Sequence, residues 1–154
     1  MQVSIKLENL DISQDHIEQA MKKIKDTKPL MLELGNHLYN ISLDSFEHEK
    51  DPNGNPWTPL KASTLENKST SKMLYDEGTM QNNLINKSSS NEVAVGIGAT
   101  FNGYLYPAVQ QFGTKDGKVE DRAFMPINKD MNLYSEVEGE LEEIVIEFIE
   151  EAIS

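Results

Sequence analysis

The sequence predicts an α+β fold: helices packed on a small antiparallel sheet, with a long polar arm after the second helix. Three observations carry that expectation. Apolar residues recur at helical spacing in two stretches before residue 49 and in one after residue 135. Short stretches at 2–7 and 92–99 alternate with the period of strands. Residues 50–92 hold few large apolar groups for their length, the mark of a functional arm or an unpacked excursion. At 154 residues the chain suits one ordinary core and is short for two, so residues 1–154 are expected to form a single domain.

In "QVSIKL", residues 2–7, Val3, Ile5 and Leu7 share one face, the pattern of a half-buried strand. "DISQDHIEQAMKKIKDT" then offers Ser13 as a candidate N-cap ahead of Ile17, Met21 and Ile24. Pro29 would break a helix from within but suits a first turn, so a second helix opens there. Along it Met31, Leu34, Leu38, Ile41 and Ser45, with Phe46 beside it, keep the i, i+3, i+4 rhythm. "KDPNGNP" ends it, because Asp51-Pro52, Asn53-Gly54 and Asn55-Pro56 are successive turn signals.

Across the arm, about 50–90, the apolar anchors are Trp57, Leu60, Leu65, Met73, Leu74, Met80, Leu84 and Ile85, with short helices expected near 62–72 and 76–84. "EVAVGIGA", residues 92–99, reads as a strand. "YLYPAVQQF", residues 104–112, is expected to return antiparallel to it after Asn102-Gly103, with Pro107 at an edge or bulge. "AFMPI" is expected as a short strand after the loop "GTKDGKVEDR". Over about 136–153, Val137, Leu141, Ile144, Val145, Phe148, Ile149 and Ala152 form one stripe of an amphipathic helix whose other face is almost wholly glutamate.

Composition removes several function classes. A net charge of −12 argues against sequence-specific nucleic-acid binding, which needs clustered Lys and Arg to displace counterions. Without cysteine there is no disulfide, thiolate zinc site or thiol nucleophile. No stretch approaches the roughly 20 apolar residues of a membrane span, and "MQVSIKLENL" lacks the basic start and apolar run of a signal peptide, so a soluble cytoplasmic product with no membrane partner is expected.

The motifs offer no chemistry. Asp51, Asn53 and Asn55 alternate as in a calcium loop, but the glycine and glutamate required at its sixth and twelfth positions are Pro56 and Ala62, which favours a plain turn. Gly96 and Gly98 lack the third glycine and following helix of a dinucleotide site; strand glycines that admit a close backbone explain them better. His16, His37 and His48 have no ligand spacing, "FEHEK" sends Glu47, His48 and Glu49 in different directions, and no serine has a nucleophile-elbow context. The terminal glutamates could supply an acid–base pair, but a solvated face accounts for them more simply. No catalytic residue, cofactor or metal is expected.

The order of motifs is more informative. "DPNGNPWTPLKASTLENK", "MLYDEGTMQNNLI", "VAVGIGATFNGYLYPAVQQFG" and "DRAFMPI" together resemble the phage virion morphogenesis family, the tail completion proteins of Mu-like and similar contractile-tailed phages and prophages. In that family a helix ending in Phe leads to Pro-x-Gly-x-x-Trp-x-x-Leu, Thr and Lys, then a Leu and Gly, a Val-Gly strand, a Tyr and Ala, Gln-Phe-Gly and an Arg and Phe. Phe46, Pro52, Gly54, Trp57, Leu60, Thr64, Lys68, Leu74, Gly78, Val95, Gly96, Tyr106, Ala108, Gln111, Phe112, Gly113, Arg122 and Phe124 fall on those positions. The resemblance spans roughly residues 30 to 127. Met80 stands where Leu is usual, Gln110 where His is frequent, and Pro107 interrupts Tyr-Ala.

The resemblance implies a structural protein of the virion, made in the cytoplasm of an infected or lysogenic bacterium. It would act late in tail assembly near the head end, as a homo-oligomeric ring touching other tail or neck proteins. Trp57 and Leu60 would then either anchor the arm on a neighbouring subunit or tail tube, or pack on their own core. The glutamate face would either line a lumen that DNA passes or simply solubilise the surface. An acidic adaptor or DNA mimic is the alternative, weakened because the acids crowd into the last helix; a small Glu/His hydrolase would need a formed cleft.

Overall fold

The computed structural model describes residues 14–74, 79–97 and 106–154. The strand expected at 2–7, the cap at Ser13, Gly78, Gly98 and the Asn102-Gly103 turn lie outside the described residues, as does the side chain of Ile17.

Two helices open the described chain: α1 (Gln14–Lys25) and α2 (Lys28–His48). Pro29 sits in the first turn of α2, where its missing N–H removes no intrahelical bond. Glu49 ends the helix in the left-handed region, φ 53°, with its N–H on Ser45 O. The buried positions of α2 are Leu30, Gly35, Ser42, Ser45 and Phe46. Most of the apolar rhythm read from the sequence, Met31, Leu34, Leu38 and Ile41, is only half-buried. Small residues take the tightest places because other elements come close there. A Cβ added to Gly35 would lie 2.2 Å from Ser88 Oγ and 2.8 Å from Asn86 Oδ1.

The polar stretch after α2 holds short elements among its described residues. Residues 50–56 close into a compact reversal, with Asp51 N–H on Asn55 O at 2.8 Å, Asn55 N–H on Asp51 Oδ1 at 2.8 Å and Gly54 at φ 87°. The turn reading of "DPNGNP" therefore holds. Beyond it come α3 (Ala62–Glu66), α4 (Thr79–Asn82) and β1 (Leu84–Asn86).

β1 pairs antiparallel with β2 (Val95–Ile97), Leu84 opposite Ile97 and Asn86 opposite Val95. Of the strand expected at 92–99, Val95–Ile97 is thus a strand, but its partner comes from within the expected arm. Of the residues 104–112 expected to pair with it, Tyr106–Phe112 forms a helix, α5. Pro107 lies in its first turn, and Gly113, at φ 69° with its N–H on Val109 O, caps its end. A short apolar run does not by itself distinguish period 2 from period 3.6, and here the terminal signals decide.

"AFMPI" forms no ladder among the described residues: the chain bends at Met125 and Pro126, the Ile127 N–H meets Met125 O at 2.8 Å, and Ile127 makes one isolated bridge to Leu133. The last element, α6 (Ser135–Ile153), packs on both α1 and α2, while α2 also packs on the β1–β2 hairpin. Val137 and Ala152 of its apolar stripe are buried, Leu141, Ile144, Val145, Phe148 and Ile149 half-buried, and its eight glutamates exposed. The molecule is α+β, with a two-stranded antiparallel sheet.

Candidate functional site

The residues singled out by motif converge on the end of α2. Phe46, Trp57, Met80 and Phe124 form a buried cluster, flanked by Met73, Leu74, Ile97 and Met125. Phe46 stacks on Phe124 at 5.0 Å and meets Trp57 edge to face at 6.2 Å. Trp57 is 4 % exposed. Its backbone N–H reaches Glu49 O at 2.9 Å and its indole Nε1–H donates to Ala123 O at 2.8 Å. Of the two places expected for this side chain, its own core is the one it occupies. The tight 50–56 reversal accounts for this, because it returns the chain onto the helix it has just left.

Gln111 and Arg122 bind the segment 122–127 to its surroundings. The Gln111 carboxamide Oε1 accepts the N–H groups of Phe124 and Met125, both at 2.9 Å. Its Nε2 donates to Met125 O and Ile127 O, both at 3.1 Å. Arg122, 7 % exposed, donates from Nε to Thr58 O at 3.0 Å and from Nη2 to Pro59 O at 3.3 Å, and its backbone N–H meets Gln110 O at 2.7 Å. Backbone carbonyls therefore solvate this cation, and no carboxylate pairs with it among the described residues. At Gly113 an added Cβ would lie 2.8 Å from Val119 O, and φ is already positive, so the position requires glycine.

The remaining motif residues are more scattered. Leu74 rests on the cluster, at φ 52°, and Lys68 Nζ donates to Lys72 O at 2.8 Å. Leu60 and Phe112 are half-buried and Tyr106 is exposed. Gly96 lies opposite Ile85, and an added Cβ there would meet nothing within 4 Å among the described residues, so the close approach expected at this strand glycine occurs at Gly35 instead. Gly78 lies outside the described residues.

A concave region of about 390 Å³ runs between α2 and α6 and is lined by Glu33, His37, Glu140, Glu143 and Glu147 among others. His37 Nε2 meets Glu140 Oε2 at 2.7 Å across it. The groove is open and shallow rather than a formed cleft. Elsewhere, Asp44 lies 2.7 Å from His48 Nδ1 and 2.9 Å from Lys50 Nζ, and the hydrogen bond from Lys50 holds its carboxyl below the usual range. Among the described residues no three His, Asp or Glu side chains come together as metal ligands would, and no helix is long and apolar enough to cross a membrane.

Reading the residues one by one missed Glu49, whose Oε1 accepts the Met73 N–H at 2.6 Å, and the small residues Gly35 and Ser42. Their signal was available: Gly35, Ser42 and Ser45 recur along one helix face, the spacing of a close approach rather than of exposed polar residues.

A family model described as the phage virion morphogenesis family matches residues 9–150. No curated protein and no solved structure matches the chain.

Proposed function

Because the chain belongs to the phage virion morphogenesis family, whose model spans nearly its whole length, we propose that it is a structural component that completes the phage tail and joins it to the head. In this reading it works as a homo-oligomeric ring in contact with other tail or neck proteins, first in the bacterial cytoplasm and then in the virion, without catalysing a reaction. The observation that carries it is the family match. The use of the motif residues supports it: Trp57, Gln111 and Arg122 turn their polar side-chain atoms to backbone groups rather than to a cleft, and Phe124 is stacked on Phe46 in the buried cluster. Motif residues of an enzyme would present reactive atoms to a pocket.

Deleting the gene from a phage or inducible prophage that carries it tests the proposal. Filled heads and separate tails are expected by electron microscopy, with joining restored by added protein. Normal infectious particles from the deletion strain would refute it. Light scattering on the purified chain, with microscopy of any annulus, tests the ring separately.

A further inference from the structure

The reversal at 50–56 contains an asparagine followed by glycine. In that sequence the side-chain carboxamide is open to attack by the next backbone nitrogen, because glycine puts no Cβ in the way. Asn53, Gly54 and Asn55 are all exposed. The Asn53 carboxamide has no hydrogen-bond partner among the described residues, whereas that of Asn55 is spent on Asp51, its Nδ2 lying 3.3 Å from Oδ1 and 3.1 Å from Oδ2. Asn55 also precedes Pro56, whose nitrogen has no proton to lose, so the same attack is closed to it.

The backbone holds the attacking atom back. The Gly54 N–H donates to Asp51 O at 2.9 Å, closing a β-turn with Pro52 and Asn53 at its centre. Neither central residue is at positive φ, which makes the turn type I and sets ψ of Asn53 at about 0°. There the Gly54 nitrogen lies beside the backbone nitrogen of Asn53 and away from its side chain. Closing a succinimide ring on Asn53 Cγ needs a large rotation about the Cα–C bond, and that rotation breaks the Gly54 hydrogen bond. It also pulls against the rest of the reversal, where Asp51 N–H meets Asn55 O and Asn55 N–H meets Asp51 Oδ1, both at 2.8 Å.

We infer that Asn53-Gly54 is a site of spontaneous deamidation that the closed reversal holds in check, so that the modification accumulates only through openings of residues 50–56. In the open form the Gly54 nitrogen gives up its proton and bonds to Asn53 Cγ, the Cγ–Nδ2 bond breaks, and the nitrogen leaves as ammonia. Water then opens the succinimide at either carbonyl, giving aspartate or, with one more methylene in the main chain, isoaspartate. No electron is transferred, and water is the co-reactant. Either product adds a carboxylate two residues from Asp51. The longer isoaspartyl backbone departs from the register that returns the Trp57 N–H to Glu49 O at 2.9 Å. The inference concerns covalent ageing of the chain and stands apart from the assembly role.

The full chain is incubated at mildly alkaline pH in native buffer and, in parallel, in denaturing urea. Trypsin cleavage after Lys50 and Lys61 releases a peptide covering residues 51–61, in which mass gain reports deamidation and electron-transfer fragmentation identifies isoaspartate. The folded chain is expected to deamidate Asn53 at least about tenfold more slowly than the denatured chain. Asp51→Ala keeps the carbonyl that accepts from Gly54 but removes the carboxylate that holds Asn55. It is expected to raise the folded rate about threefold or more and to leave the denatured rate unchanged. Asn53→Gln removes the signal from this peptide. In the unsubstituted chain the Gly54 amide is protected from deuterium exchange, and the isoaspartyl fraction unfolds at a lower urea midpoint than the unmodified one. Equal rates in native buffer and urea overturn the inference, as does a peptide unmodified in both, a signal that survives Asn53→Gln, or an unprotected Gly54 amide. A folded rate indifferent to Asp51→Ala, with the Trp57 emission retained, overturns it too; if that variant loses the buried emission, the rate ratio and the Gly54 amide decide. An unchanged midpoint in the isoaspartyl fraction overturns the consequence for Trp57.

Discussion

At Gln111 one side-chain amide stands in for a neighbouring strand along residues 124–127, satisfying two donors and two acceptors of a bent backbone that has no ladder among the described residues. Gln111→Ala strands those groups in or beside the core, so a loss of about 3 kcal/mol or more is expected, read as a lower urea midpoint with an unchanged slope. Ser45 is the opposite case. Its Oγ is buried without a hydrogen-bond partner among the described residues. Ser45→Ala removes a desolvated hydroxyl and leaves the methylene packing, so stability should hold or rise by up to about 1 kcal/mol. A clear loss in thermal unfolding would show that the hydroxyl has a partner. From the sequence Gln111 was legible only through its family motif, because a glutamine carries no periodicity signal; what it bonds to depends on a segment 13 to 16 residues away.

At the scale of elements, α2 and α6 show how side-chain size and charge tune a helix. Gly35→Ala on α2 pushes a methyl into the Ser88 hydroxyl, which is itself hydrogen-bonded to Asn86 Oδ1 at 2.6 Å. Helix propensity favours alanine by about 1 kcal/mol, but breaking that pair and shifting the hairpin should outweigh it and leave a net loss of about 1–2 kcal/mol by denaturant titration. α6 carries Glu136/Glu140, Glu138/Glu142, Glu143/Glu147 and Glu147/Glu151 at i, i+4 and has no basic residue in its last turn. Glu151→Lys turns one repulsive pair into an attractive one in the favourable order and complements the dipole. A gain of about 0.5–1 kcal/mol is expected at low ionic strength, fading in high salt; no gain in the melting midpoint would count against the electrostatic reading. The periodicity of α1, α2 and α6 was legible because each is long enough for the apolar spacing to repeat, even though Met21 on α1 is exposed and most of the rhythm on α2 is half-buried. α5 was not: seven residues hold barely two turns, and the proline read as a strand-edge signal is the same residue that begins a helix.

For the whole molecule the dominant electrostatic fact is a net charge of −12, with much of it on α6. Self-repulsion of that size is screened by salt, so the melting midpoint should rise between about 0.02 and about 0.5 M sodium chloride, as the Debye length falls from about 20 Å toward 4 Å. A midpoint that falls would mean that attractive pairs such as His37–Glu140 and Lys50–Asp44 outweigh the repulsion.

The sequence by itself determined the fold class, the three long helices, the turn at 50–56 and the motif order that marks the family, since these rest on local dihedral preference and on apolar repeats within one element. Only the tertiary structure decided that Trp57 packs on its own core, that β2 pairs with Leu84–Asn86, and that Gln111 and Arg122 close the backbone of segments far along the chain. Those outcomes depend on which distant groups a reversal brings within 3 Å. No local pattern encodes that, because the free energy of burying an indole or satisfying a carbonyl is the same whichever part of the chain supplies the partner.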